Sequence, residues 1–118
     1  MNIKCLATGS SGNCYLVDTG CGCIILDAGI NFDKIVSNVN LNDVIFAFIS
    51  HEHNDHSKSA SKLLSRRIKV IGGNLGQDFT KNVIEGKNGA KLEVYTFPIL
   101  HGECENYGII VQDANNGE

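Results

Sequence analysis

The sequence predicts an α/β (α+β) fold, a sheet with helices packed on a face. Three observations carry this. Short apolar runs separated by turn clusters fill the first 29 residues and read as a meander of strands. Apolar residues at helical spacing follow from Phe32. Val44 to Ile49 is then an unbroken apolar run, the pattern of a strand covered on both faces. A chain of 118 residues has room for one domain, read as residues 1–118.

Ile3 to Ala7 is the first expected strand, and Thr8-Gly9-Ser10-Ser11-Gly12-Asn13 is a turn cluster. Cys14 to Asp18 and Cys23 to Leu26 are the next two strands, the latter closing at Asp27-Ala28-Gly29. Asn31 suits a helix N-cap, with Phe32, Ile35, Val36 and Val39 on one face and Asn40 and Asn42 at the end. After the strand Val44 to Ile49, Ser57 is expected to cap a helix from Lys58 to Arg67 that turns Ala60, Leu63 and Leu64 inward. Lys69 to Ile71 reads as a short strand, Gly72-Gly73 as a break and Leu75 to Phe79 as a short helix. Lys91 to Leu100 and Tyr107 to Gln112 are the last expected strands. Asn115-Asn116-Gly117 is hairpin-turn chemistry without a returning strand, which reads as an incomplete structural unit.

The balance of 42% hydrophobic and 19% charged residues is that of a folded globular chain. A net charge of -3 gives no global attraction to nucleic acid or anionic membranes. No apolar run approaches the roughly 18 residues of a membrane span. The odd set Cys5, Cys14, Cys21, Cys23 and Cys104 argues for a reducing compartment, and a cytoplasmic protein is expected. Cys21-Gly22-Cys23 reads as small apolar residues around a hairpin turn.

All four histidines fall into one arrangement. Ser50-His51-Glu52-His53-Asn54-Asp55-His56 contains H-x-H-x-D-H directly after a buried strand, and His101 ends another apolar run. In an extended segment His51 and His53 point to one side. Neutral imidazole suits zinc, and also manganese or iron. A third nitrogen for the same ion has one candidate, His101. Asp55 and His56 follow where the chain must turn into a helix, so a second ion nearby is the economical reading. A set of solvated surface histidines would leave their crowding beside one buried strand unexplained.

Other residues border this cluster. Asp27, at a strand end, is a candidate hydrogen-bond acceptor for the metal loop, with a plain turn Asp as the alternative. Glu52 is a candidate proton shuttle or a solvated loop residue. Lys58, Lys62 and Arg66 recur at i, i+4, i+8, and Lys58 and Lys62 are candidate phosphate contacts, against a solvated helix face. Gly9, Gly12 and Asn13 do not match a phosphate-cradling P-loop, so a tight turn is expected.

The H-x-H-x-D-H element, the strand ending Ile25-Leu26-Asp27-Ala28-Gly29 and His101 at a later strand end together resemble the metallo-β-lactamase-fold hydrolases. The opening Thr8-Gly9-Ser10-Ser11-Gly12-Asn13-Cys14 resembles a small bacterial and phage branch with nuclease-like members. The resemblance implies a metallo-β-lactamase-like αββα sandwich, of which this chain holds the N-terminal half, with a mixed sheet and helices on one face. It assigns His51, His53 and His101 to a first metal, Asp55 and His56 to a second as catalytic residues, and Asp27 to their support. The family's bridging Asp and a further His belong to a second half of the fold. Asp113, expected in a hairpin turn, does not replace them.

The expected function is metal-dependent hydrolysis by a metal-activated hydroxide, with phosphodiesters of nucleic acids or nucleotides as the leading substrates. Carboxylic esters, thioesters and lactones form one alternative. A non-catalytic half-domain that binds metal weakly, or pairs as a homodimer or with a partner chain through a sheet edge, is another. A di-iron redox protein ranks last.

Overall fold

The computed structural model describes residues 1–51, 53–72, 80–86, 89–101 and 104–113, with residues 80, 82, 98–101, 104–107 and 113 described by their backbone alone. The elements are β1 (Asn2–Ala7), β2 (Cys14–Asp18), β3 (Cys23–Leu26), α1 (Phe32–Val36), a 3-10 turn (Leu41–Asp43), β4 (Val44–Ile49), α2 (Asn54–Ser57), α3 (Ala60–Ser65), β5 (Val70–Gly72), β6 (Thr80–Glu85), β7 (Lys91–His101) and β8 (Cys104–Asp113). The expected helix at Leu75 to Phe79, the turn at 115–117 and Glu52 lie outside the described residues.

Among the described residues the strands form two sheets. One is five-stranded in the order β1-β2-β3-β4-β5, the other three-stranded in the order β6-β7-β8. The first is mixed: β1, β2 and β3 are antiparallel, while β3, β4 and β5 run parallel. The second is antiparallel throughout.

The apolar pattern of the strands explains the layering. Val44, Ala47 and Ile49 of β4 join Cys14, Leu16 and Ile25 in a cluster capped by Phe32, Ile35 and Leu63 from the helices. Phe46 and Phe48 point the other way, with Val17, Ile24 and Ile71, onto Ile84, Leu92 and Val94 of the second sheet. The larger sheet is therefore the middle layer, with helices on one face and a sheet on the other, which is why β4 is apolar throughout. Ile45 breaks the alternation, because β4 carries an extra residue where the β3 pairing steps from Cys23–Val44 to Ile24–Phe46. In β7 the period-2 pattern is plain, with Leu92, Val94 and Thr96 buried on one side.

The helix after the histidine motif departs from expectation. It is not continuous from Lys58 to Arg67 but splits into α2 and α3 around Lys58 and Ser59. Ser57 belongs to α2, and Ser59 precedes α3 without a side-chain cap; its hydroxyl instead donates to the Ile30 carbonyl. In this short helix Leu63 is buried but Leu64 is 56% exposed, so Leu64 is not a core residue. The inward place expected of Leu64 falls to Ile68. Arg67 adopts the left-handed conformation (φ 64°), its N–H donates to Leu64 O (2.9 Å) and Ile68 N–H to Leu63 O (3.1 Å). This is a Schellman stop, closed by the apolar contact of Ile68 with Leu63. Val36, the last residue of α1, is likewise outward, at 39% exposure, while Phe32 and Ile35 of the same helix are buried. Asn40 caps the 3-10 turn by accepting from Asn42 N–H.

Topology positions the site. β1 and β3 are both antiparallel to β2, and β3 is parallel to β4. The C-terminal ends of β1, β3 and β4 therefore share one sheet edge. The connections 8–13, 27–31 and 50–53 all leave from it.

Candidate metal centre

Ser50 and His51 follow β4, and His53 leads into the single turn of α2. His56 N–H and Ser57 N–H both donate to the His53 carbonyl, at 2.9 and 3.0 Å, which closes the turn. Neighbouring connections pin this turn from below. Ala28 N–H donates to His56 O (2.7 Å), Ser59 N–H to Ala28 O (2.8 Å) and Asn13 N–H to Asp55 O (2.8 Å). Gly29 is required at this contact: a Cβ there would fall 1.7 Å from Asp55 O.

Asp27 organises the half of the site containing His56. Its backbone N–H extends the β3–β4 pairing by donating to Phe48 O (2.7 Å), while its φ of 63° lies in the left-handed region that Asp tolerates. One carboxylate oxygen accepts Ser50 N–H (2.7 Å), and the Ser50 hydroxyl lies 2.9 Å from both oxygens. The other oxygen is 2.8 Å from His56 Nδ1. An ionised carboxylate can only accept, so Nδ1 carries the proton and the neutral ring keeps its lone pair on Nε2. That Nε2 lies 3.6 Å from Asp55 Oδ2. Two donors about 2.0–2.2 Å from one tetrahedral cation would stand about 3.4 Å apart. The Asp55–His56 pair therefore fits a shared ion in chemistry and in spacing.

The half containing His51 and His53 is arranged differently. His51 is buried and its ring meets that of His53 edge-on, with centroids 3.9 Å apart; the His56 ring is 5.6 Å from His51. His51 Nδ1 accepts His53 N–H at 3.0 Å, so ligation through that atom requires this bond to open. Among the described residues no three His, Cys, Asp or Glu side chains are grouped closely enough to hold a metal ion. His101 ends β7 with its backbone paired to Cys104, and its side chain lies outside the described residues. Asp113 is not in a turn but is the last residue of β8, paired with Leu92.

The basic residues do not form the expected stripe. Lys58 is the exposed C-cap of α2, whereas Lys62 lies in α3 and Arg66 is the C-cap of α3. Lys62 Nζ and Arg66 Cζ lie over the Phe32 ring, 6.0 and 5.3 Å from its centroid. Two residues of the site were not singled out from sequence as parts of it, Ser50 and Asn13. Ser50 immediately precedes the histidine motif and so necessarily starts the loop. Asn13 reads locally as the end of a turn cluster, and its link to the site is hidden because its partner Asp55 is 42 positions away.

Comparison with known proteins places this geometry in a family. The profile of the metallo-beta-lactamase superfamily matches residues 7–109. A protein named exodeoxyribonuclease YycJ, from Bacillus anthracis, is 26% identical over 125 residues, covering 89% of this chain and 47% of the relative. The chain thus spans about half the length of that protein. Three solved structures share the fold. The chemotaxis sensor ODP, in its peroxy diiron species, superposes with a TM-score of 0.67 at 16% identity, covering 94% of this chain and 57% of that one. The short form of human tRNase Z (ELAC1) gives 0.63 at 12% identity, over 100% and 66%. The metallo-beta-lactamase fold protein YhfI from Bacillus subtilis gives 0.61 at 13% identity, over 94% and 57%. With the profile match across most of its length and a mixed sheet carrying the H-x-H-x-D-H turn at one edge, the chain belongs to the metallo-beta-lactamase superfamily.

Proposed function

We propose that this chain carries part of the active site of a metal-dependent phosphodiesterase acting on nucleic acid. The observation that carries the reading is the Asp27–His56–Asp55 relay, in which a buttressed imidazole presents Nε2 to a carboxylate 3.6 Å away. When bound, cations such as zinc, or alternatively manganese or iron, acidify water and neutralise charge on phosphoryl oxygens. The protein's part is orientation. Asp27 fixes the His56 tautomer and Ser50 fixes Asp27. The Asp55 backbone is held from below by Asn13, so the carboxylate stands beside the ring. Asp55 and His56 are proposed to hold one of two ions, and His51, His53 and His101 the other.

The phosphodiester class is supported by the names of two relatives, an exodeoxyribonuclease and a tRNase. The test is hydrolysis of single-stranded DNA and of an activated phosphodiester by the zinc-loaded full chain, with thioester and lactone probes run alongside. His53→Ala is expected to lose the zinc of its own half of the site, and hydrolysis with it. Unchanged zinc content in that variant refutes the ligand assignment, and cleavage of thioesters or lactones alone replaces the substrate class.

A second reading rests on the chain's covering only 47% of its relative. Here the site is completed by residues from the rest of the fold, supplied by the same polypeptide or by another chain. A monomer without activity on any ester supports an inert half-domain, whereas a dimer with full metal occupancy supports completion between chains.

A further inference from the structure

We infer that Asn13 is a positioning residue for Asp55, and that the Gly-rich turn it ends serves to clamp the metal loop. The inference rests on the reading that Asp55 ligates a cation. All four polar groups of Asn13 are engaged. Its N–H and its Nδ2 both donate to Asp55 O, at 2.8 and 3.1 Å. Nδ2 also donates to Gly9 O (2.9 Å), and Oδ1 accepts Gly9 N–H (3.1 Å). Its carbonyl accepts Gly29 N–H at 2.9 Å. One side chain therefore joins the β1–β2 turn to the loop after β4, and its backbone joins both to the segment after β3.

The clamp holds two consecutive peptide units. Asn13 takes the Asp55 carbonyl and Ala28 N–H takes the His56 carbonyl, which fixes the backbone on both sides of the His56 Cα. The two side chains proposed to share a cation leave from this stretch. The contact is close because glycines line it. A Cβ on Gly29 would meet Asp55 O at 1.7 Å, and one on Gly12 would meet Gly29 O at 2.5 Å. Asn is specified chemically: Asp and Ala both keep the backbone N–H on the Asp55 carbonyl, but an Asp side chain keeps only the acceptor for Gly9 N–H and loses the second donor to that carbonyl, and an Ala side chain has neither.

The test is zinc titration of the full chain against a competing chelator, for wild type, Asn13→Ala, Asn13→Asp and Thr19→Ala. Thr19 lies in the β2–β3 turn at the opposite sheet edge, where its hydroxyl donates to Gly22 O (2.8 Å), so its loss perturbs the same sheet without touching the loop. Both Asn13 variants are expected to bind zinc about tenfold more weakly, as happens when the support of a ligand is removed, with Thr19→Ala unchanged. Wild-type affinity in Asn13→Ala, or an equal loss in Thr19→Ala, overturns the positioning role. Absence of zinc uptake by the wild-type chain overturns the reading of the site itself. That failure shows in the unmutated protein and is distinguishable from failure of the clamp.

Discussion

Replacing Asp27 by Asn tests the relay at its pivot, because it changes one atom and leaves the shape. The carboxylate accepts Ser50 N–H at 2.7 Å through one oxygen and faces His56 Nδ1 at 2.8 Å through the other. The amide has a single oxygen. If that oxygen stays on Ser50 N–H, the NH2 group faces Nδ1, and two donors oppose each other unless the ring proton moves to Nε2. If the amide flips, its NH2 group opposes Ser50 N–H and leaves a part-buried backbone donor unpaired, at about 1–3 kcal/mol. The ring tautomer follows the hydrogen bond made by its other nitrogen, so the first arrangement is expected. The proton then sits on the nitrogen 3.6 Å from Asp55 Oδ2, and the lone pair for a cation is gone. Zinc affinity should fall 10–100-fold, which is about 1.4–2.7 kcal/mol. Long-range nitrogen NMR on the metal-free chain reads the tautomer, and chelator competition reads the affinity. An Asn variant that keeps the proton on His56 Nδ1 and binds zinc as wild type does would refute the reasoning.

Three further outcomes are expected. Gly29→Ala places a Cβ 1.7 Å from Asp55 O and 2.7 Å from His56 N, both backbone atoms with no rotamer to yield; overpacking and lost loop bonds should cost about 3 kcal/mol in chemical denaturation, and a loss under about 1 kcal/mol would contradict the contact. Arg67→Gly relieves a left-handed residue at the Schellman stop and should raise stability by up to about 1 kcal/mol, since relief of about 1–2 kcal/mol is offset by the freer unfolded glycine; a destabilised variant would show that Arg67 earns its place by other contacts. Burial, and secondarily the Asp27 charge, pushes the Cys14 thiol up from 9.0 to about 12. The fold therefore favours the neutral thiol, so this contribution is complete below pH 9, declines as the unfolded chain ionises, and is lost as pH rises towards 12; denaturation midpoints followed from pH 8 to 11 should show the fall, and Cys14→Ala should flatten it.

Much of the fold is legible locally, and the exceptions share a cause. β2, β3 and β4 have the expected limits, because each is a run of apolar residues bounded by turn chemistry. β6 was not expected. In Thr80–Glu85 the adjacent residues Val83 and Ile84 are 58% and 8% exposed, so one inward side chain is the whole apolar signal of a strand at the margin of the second sheet. Leu64 was misplaced because a stripe of Ala60, Leu63 and Leu64 presumes a long helix, whereas α3 has six residues and a stop that brings Ile68 inward. In the site, the residue types of the loop were visible in sequence. The clamp was not, since it joins the side chain and backbone of Asn13 to a carbonyl 42 positions along the chain. Its one precursor in the sequence is topological: a meander followed by a parallel strand must bring the first turn to the edge where the histidines lie.

The two halves of the motif differ in how much of their geometry is local to the first 60 residues, and energies indicate what that difference is worth. Asp55 and His56 are set by three connections from one sheet edge, with tautomer and backbone both fixed before any ion arrives. His51 instead spends Nδ1 on His53 N–H. Opening that bond forfeits about 0.5–1.5 kcal/mol, against about 10–16 kcal/mol for a fully liganded structural zinc. The bond is therefore no obstacle to a cation that finds a complete ligand set, and it weighs more heavily the fewer ligands that cation finds. Occupancy at His51 and His53 should thus depend on the remaining ligands, His101 first among them, while the Asp55–His56 pair depends on the clamp beneath it. A variant that loosens one half need not empty the other, so the affinities of the two proposed ions should be separable by mutation.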